Sequence, residues 1–190
     1  MNTQSQQKVP SAVIGAFFFM ASEALLFAGM VSGYLGLRSH IHVWPPPGQP
    51  RLPVEATAFN TLVLLASGVI IYLSQKPFND PFQKKSLLRH MQLAIGLGAA
   101  FLLLQGYEWF NLLRFGMGIT ENVYGGLFYM IVGFHALHVI IALLLHSYVY
   151  FAIRAAKKPK DHAGKFYVSQ MFWMFVVVVW PFLYYTVYIL

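Results

Sequence analysis

The sequence predicts an all-α fold, a polytopic membrane bundle of five transmembrane helices. Hydrophobic residues make up 58% of the 190 residues and charged residues only 10%, whereas soluble proteins average about 25% charged residues. Five apolar runs are each long enough, at about 1.5 Å per residue, to cross a hydrocarbon core of about 30 Å. The connections between them are short, so we expect one membrane domain over residues 1–190.

The predicted spans cover approximately residues 13–37, 56–74, 91–113, 124–151 and 167–190. The first span is predicted to be retained in the membrane, because no small-residue cleavage site follows it as in a signal peptide. The fourth exceeds the hydrocarbon thickness and is expected to tilt or to project into water. Proline-containing turns separate the spans at residues 44–48, 76–81 and 156–160.

The distribution of Lys and Arg predicts the orientation of the bundle, because cytoplasmic loops are enriched in these residues. The N-terminus and the second and fourth connections carry Lys8, Lys76, Lys84, Lys85, Arg89, Arg154, Lys157, Lys158, Lys160 and Lys165. The first and third connections carry Arg38, Arg51 and Arg114. With an odd number of spans, the N-terminus is predicted to be cytoplasmic and the C-terminus external.

Charge and cysteine content exclude several functional classes. The formal net charge of +7 resembles that of nucleic-acid-binding proteins, but the basic residues lie between the apolar runs and are explained by topology. We therefore expect no nucleic-acid partner. The sequence has no cysteine, which excludes disulfides, thiolate metal sites and thiol nucleophiles.

Glu23 is the most informative residue, because it lies near the middle of the first apolar run. A carboxylate at that depth is costly unless it is protonated, paired or placed in a polar pocket. Glu23 lies roughly 18 Å from the cytoplasmic start of its helix, and His135 lies roughly 15 Å from the outer start of the fourth. His138 shares the helix face of His135. A hydrogen bond from Glu23 to either histidine is therefore feasible.

Small residues form a stripe on the first span at Gly15, Ser22, Gly29 and Gly33. Gly29 and Gly33 have the spacing that permits close helix contact. We interpret the stripe first as helix packing within the bundle. Glu23 lies about 100° around the helix from this stripe, a position that suits a cleft between helices.

The sequence predicts no catalytic constellation, metal site or bound haem. His135 and His138 lie on one helix and cannot bracket an iron, and no carboxylate cluster completes a metal site beside them. Glu108, within residues 105–109, lies near the outer end of the third span. On physical grounds alone, that string is an interfacial aromatic belt with Glu108 in water.

Five strings, in order along the chain, resemble subunit III of the haem-copper oxidases, in the short five-helix bacterial form. Ser22-Glu23 with Phe27 and Gly29 resembles the family's Ser-Glu-x-x-x-Phe-x-Gly helix. The other strings are Trp44-Pro45-Pro46, Phe59-Asn60-Thr61, Gln105-Gly106-Tyr107-Glu108-Trp109, and Tyr124-Gly125-Gly126-Leu127-Phe128 with Gly133-Phe134-His135-Ala136-Leu137-His138-Val139. The last helix departs from the family pattern, because Met174 and Val177 stand where the family has His and Asp.

The resemblance implies a non-catalytic subunit of a bacterial cytochrome c oxidase in the inner membrane, active only as part of that oxidoreductase complex. It implies packing against subunit I, with subunit II in the same complex and haem and copper only in those partners. It also implies bound structural phospholipids, and support of proton uptake and of active-site lifetime. Glu23, His135, His138 and Glu108 would be the buried polar residues of the lipid cleft. The stripe could instead contact subunit I.

Two alternatives stay open. The divergent last helix is compatible with an accessory subunit of a quinol oxidase or of a nitric oxide reductase. A different class would be a proton-coupled transporter with Glu23 as its carrier site. Transporters are often built from internal repeats with broken helices, and we see neither feature in the sequence.

Overall fold

The computed structural model describes residues 11–74 and 84–190. Its helices are α1 (Ser11–His40), α2 (Val54–Leu73), α3 (Lys84–Arg114), α4 (Val123–Ala155) and α5 (Ala163–Tyr184). A short 3₁₀ turn (Pro159–His162) precedes α5, and a π turn (Tyr185–Ile189) continues it. All five helices are long and apolar enough to cross a membrane, so the predicted all-α, five-helix fold is confirmed. The turn predicted at residues 76–81 and the segment 1–10 lie outside the described residues.

The helices extend beyond the predicted apolar runs, most of all α3 and α4. α3 begins at Lys84 and α4 continues to Ala155, so both gain turns at the basic end of the bundle. Hydropathy detects only the portion of a helix that lies in hydrocarbon, whereas the backbone hydrogen bonds continue past it. Lys84 Nζ donates to the carbonyls of Arg154 at 3.0 Å and Ala156 at 2.6 Å, which satisfies acceptors at the C-terminus of α4.

α2, α3, α4 and α5 form a four-helix core, and α1 packs on α5 and α4 at its edge. Polar and small residues of α2 face this core: Thr57, Asn60, Thr61, Ser67 and Gly68. Leu64 and Ile71 of α2 are buried in this core as well, whereas Phe59, Leu62 and Tyr72 face outward and are each about 60% exposed. This arrangement suits a bilayer, because lipid tails are as apolar as a protein interior and small residues let helices approach closely.

Two glycines show how closely the core helices approach. A Cβ on Gly98 of α3 would collide with the Trp173 ring of α5. A Cβ on Gly68 of α2 would lie 2.8 Å from Val177 Cγ1 of α5. α5 is therefore the helix against which the neighbouring helices are fitted.

Side-chain and glycine caps define the turn from α3 to α4. Gly116 has φ +87°, and Met117 N donates to Leu112 O at 3.0 Å. This is the glycine-terminated helix end known as a Schellman motif. Asn122 then caps α4, its side chain accepting from Gly125 N at 2.7 Å.

Candidate functional site

Glu23 of α1 and His138 of α4 form an ion-pair contact between helices. Glu23 Oε2 lies 3.0 Å from His138 Nε2. The Glu23 side chain is 18% exposed and that of His138 is 10% exposed, so both lie at the edge of the bundle interior. Of the two predicted partners, the structure brings His138 to Glu23.

A second hydrogen bond fixes the tautomer of His138. Its Nδ1 lies 2.7 Å from the backbone carbonyl of Phe134, and a carbonyl only accepts, so Nδ1 carries a hydrogen. The Nε2–Oε2 contact is a hydrogen bond only if one proton lies between these two atoms. Either His138 is protonated at Nε2 and Glu23 is a carboxylate, or Glu23 is protonated and His138 is neutral. In both cases the pair binds α1 to α4 through a hydrogen bond in apolar surroundings.

An apolar groove of about 380 Å³ adjoins this pair. Its walls come from α1, α4 and α5, and they include Ala16, Phe19, Leu145 and Phe172, with His138 at one end. Phe27 closes the other side of the histidine, with ring centroids 5.1 Å apart. The groove is therefore open to an apolar chain and has one polar contact.

His135 does not contact Glu23. It is buried and stacks on Trp180 of α5, with ring centroids 4.8 Å apart and planes 27° apart. Within residues 11–74 and 84–190, neither of its ring nitrogens has a hydrogen-bond partner. The prediction that Glu23 bonds to one of the two histidines is confirmed for His138 and not for His135, because the His135 ring points into the aromatic core and the His138 ring points toward α1.

Glu108 is buried, so the interpretation that places it in water is wrong. Only 8% of the residue is exposed, and its Oε2 accepts from Thr57 Oγ1 at 2.8 Å and from Gln105 Nε2 at 3.2 Å. Donors from α2 and α3 thus replace water around this carboxylate.

The polar network continues from Glu108 across three helices. Gln105 Nε2 also donates to Tyr188 Oη at 3.0 Å, and Asn60 Nδ2 donates to Gln105 Oε1 at 3.3 Å. Trp180 Nε1 donates to Thr61 Oγ1 at 2.9 Å. The sequence analysis missed this network, although the spacing of Thr57, Asn60 and Thr61 along an apolar run indicated one polar face.

The small-residue stripe of α1 does not pack within this chain. Gly15, Ser22, Gly29 and Gly33 are all exposed. A Cβ on any of the three glycines would have no neighbour within 4 Å outside the adjacent helix backbone. For the described part of the chain, the first interpretation, helix packing inside the bundle, is therefore wrong, because α1 is attached by its opposite face.

Apolar packing fills the place where the family's last helix is more polar. Val177 is 3% exposed and closes against Gly68 of α2, and Met174 packs on the hydrophobic core. Where the family has His and Asp, this chain therefore places apolar side chains.

His146 is a third buried histidine, after His135 and His138. It lies in α4 beside Trp173, with ring centroids 6.0 Å apart. In the part of the chain that the structure describes, no three His, Asp or Glu side chains come together as metal ligands. That this chain binds no cofactor stays a prediction.

Comparison with known proteins identifies the family. The family model for cytochrome c oxidase subunit III matches residues 4–190. The chain is 34% identical over 187 residues to cytochrome c oxidase subunit 3 of Thermostichus vulcanus, covering 94% of this chain and 87% of that protein. It is 30% identical to the Synechocystis protein of the same name, with 94% and 75% coverage. It is 34% identical to the Bos taurus protein, with 92% and 67% coverage. The chain belongs to the cytochrome c oxidase subunit III family, and its role is that of this accessory subunit.

Proposed function

We propose that this chain is the accessory subunit III of a bacterial haem-copper terminal oxidase that takes electrons from cytochrome c in aerobic respiration. It packs against subunit I in the inner membrane, in a complex that also contains subunit II. The relatives named cytochrome c oxidase subunit 3 support this choice over a quinol oxidase or a nitric oxide reductase. Catalysis, haem and copper belong to the partner subunits.

Within that role, the Glu23–His138 pair organises a phospholipid cleft. The observation that carries this proposal is the 3.0 Å contact at the end of the apolar groove. An acyl chain fits the groove walls, while the pair keeps α1 at a fixed distance from α4. The pair needs only one proton and a hydrogen bond, so its structural role does not require proton transport.

Substitution of Glu23 separates a lipid-organising role from a proton-carrying role. Glu23→Gln keeps the shape and can donate to His138 Nε2, so the assembled oxidase should retain near-normal initial turnover. Glu23→Ala removes the contact, so bound phospholipid should fall and the active lifetime during turnover should shorten. Serial turnover assays and lipid analysis of the purified complex measure both. Abrupt loss of initial activity in Glu23→Gln, with the complex intact, would favour proton transfer through Glu23.

The orientation is part of the same proposal. Accessible tags should place the C-terminal Leu190 outside and the connection at residues 157–165 in the cytoplasm. A cytoplasmic C-terminus would contradict the orientation and the charge argument behind it.

The absence of a cofactor is tested on the isolated chain. We expect no Soret absorbance and no metal above background. A stoichiometric haem spectrum would refute the accessory role and make the buried histidines candidate ligands.

A further inference from the structure

α1 is attached to the other helices at its C-terminal end and at its middle. At the C-terminal end, Tyr34 is 1% exposed and accepts a hydrogen bond from Trp44 Nε1 at 3.3 Å. The Trp44 ring in turn packs edge-on against Tyr124 of α4, with ring centroids 5.1 Å apart. At the middle, the polar attachment is the 3.0 Å contact of Glu23 with His138. The first attachment therefore depends on aromatic packing and the second on a polar contact.

The N-terminal part of α1 is loosely held. None of the side chains from residue 13 to residue 22 is buried, and Phe18 is 67% exposed. Phe19 reaches the Phe172 ring of α5 with centroids 6.0 Å apart, and both rings line the groove of about 380 Å³ described above. From residue 13 onward, the first buried side chain of α1 is Phe27. This part of the helix is therefore free to move if the contact at its middle is lost.

The polar contact persists only while a proton lies between its two atoms. Nδ1 of His138 donates to the Phe134 carbonyl at 2.7 Å, so a neutral ring presents a lone pair at Nε2. If Glu23 is then ionised, two acceptors face each other at 3.0 Å, in apolar surroundings where an unpaired carboxylate is costly. When both groups are protonated a donor is still present, so acid does not break the contact. The contact is therefore lost only as the pH rises.

The groups around this pair cannot replace the missing proton. His135 lies one turn before His138 on α4, but its ring points into the aromatic core. The neighbours of His138 from α1 and α5 are the rings of Phe27 and Phe172, which do not titrate. In the part of the chain that the structure describes, no Lys or Arg nitrogen lies within 4.0 Å of the carboxylate. Protonation of the pair itself therefore decides whether the contact forms.

We propose that the Glu23–His138 contact is a proton-dependent latch that closes α1 over the groove. With the proton in place, α1 lies against α4 and α5. When the proton is lost, the N-terminal part of α1 tilts away about the aromatic attachment at Tyr34, and the groove widens toward the basic end of the bundle. The latch rests on the proposed function, in which the same pair holds α1 at α4, and it adds that protonation controls the distance between them.

The absence of cysteine from the chain allows the movement to be measured with two spin labels. Phe18→Cys on α1 and Leu144→Cys on α4 place the labels toward the same end of the bundle, and both positions are exposed. Phe18 lies about 24 Å along the helix from Tyr34, so a change in tilt of about 10° moves it by about 4 Å. In the full chain in lipid nanodiscs, the distance between the labels should lengthen by about 4 Å as the pH rises from about 5 to about 10.

Two substitutions remove the proton dependence and keep the contact. In Glu23→Gln the amide donates to a neutral His138 or accepts from a charged one, so the distance between the labels should stay short at every pH. In His138→Gln the new amide bonds Glu23 in either protonation state, and the distance should again stay short. A second pair of labels, at Leu37→Cys and Val123→Cys, occupies exposed positions at the other end of α1 and α4 and should not move.

The outcomes separate the latch from the proposed function. Glu23→Ala removes the contact and should show the long distance at every pH. A distance that stays short at every pH in the chain with Glu23 and His138 intact, together with a long distance in Glu23→Ala, would refute the latch and leave the structural role of the pair in place. A short distance in Glu23→Ala would refute both. A pH response that survives Glu23→Gln would also overturn the latch, because another group would then carry the proton.

Discussion

The membrane span of α1 (Val13–His40) and that of α5 with its π turn (Ala163–Ile189) are similar in length and in hydropathy, yet they occupy opposite environments. In the most apolar stretch of α1 only 6% of the residues are buried within the chain, whereas in that of α5 the share is 50%. α5 carries Trp173 and Trp180, both fully buried, and accepts the close approach of Gly68 and Gly98. α1 is attached by Phe27, Tyr34 and the Glu23–His138 pair.

The difference shows that hydropathy identifies a membrane span but not what surrounds it. Lipid and protein interiors are equally apolar, so association depends on packing and on hydrogen bonds between helices. α5 is held by shape, because large rings fit against glycines. α1 is held by one polar contact and a narrow aromatic face, so its position should depend on a few residues.

The largest effect is expected when an aromatic ring is removed from each of the two helices. Trp173→Ala should lower the free energy of unfolding by about 3–5 kcal/mol, because it opens a cavity in the core. It also removes the 3.2 Å bond to Ser67 Oγ. Phe18→Ala, at a position 67% exposed on α1, should change it little. Unfolding of the purified chain in detergent measures both, and equal losses would show that α1 is as tightly packed as α5.

The next test adds a methyl group to one of two neighbouring glycines of α3. Gly98→Ala should destabilise the chain by about 1–3 kcal/mol, because the new Cβ meets the Trp173 ring. Gly96→Ala has no neighbour within 4 Å at its Cβ and should be neutral or slightly stabilising. If both variants unfold alike, α3 and α5 are not in the close contact described.

A smaller effect is expected from a single hydrogen bond of α5. Trp180→Phe keeps an aromatic ring but removes part of the buried indole and the 2.9 Å bond to Thr61. The hydrogen bond should account for about 1 kcal/mol of the loss. Trp109→Phe is the matched control, because among the described residues the indole nitrogen of Trp109 is buried without an acceptor. Its loss should cost less than that of Trp180, measured as a shift in unfolding midpoint. A larger loss at Trp109 would indicate an acceptor from lipid or from another subunit.

The sequence predicted the five helices because apolar length is a local property. It also predicted that Glu23 lies at a similar membrane depth to the histidines of α4, because the rise per residue converts a position along a helix into a depth. It could not choose between His135 and His138, because that choice depends on the rotation of α4 against α1 and α5. The resemblance implied that Glu108 is buried, but physical reasoning alone placed it in water, because its hydrogen bonds come partly from Thr57 on another helix. Predicting side-chain contacts between helices requires knowing how the helices are rotated and packed against each other.

The smallest effect on the chain alone is expected at the small-residue stripe of α1. Gly33→Leu places a side chain where the structure has no neighbour, so the unfolding midpoint of the isolated chain should stay within about 1 kcal/mol of the unmodified value, the scale of helix propensity. Because the described part of the chain does not pack against the stripe, we expect the stripe to contact subunit I, since close contact between helices needs small residues. The same variant should therefore reduce co-purification of subunit I. Ala24→Leu, exposed on a different face of α1, serves as the control and should leave assembly unchanged. Normal assembly of Gly33→Leu would mean that the stripe faces lipid, and α1 would then be held in the complex by its Glu23 face alone.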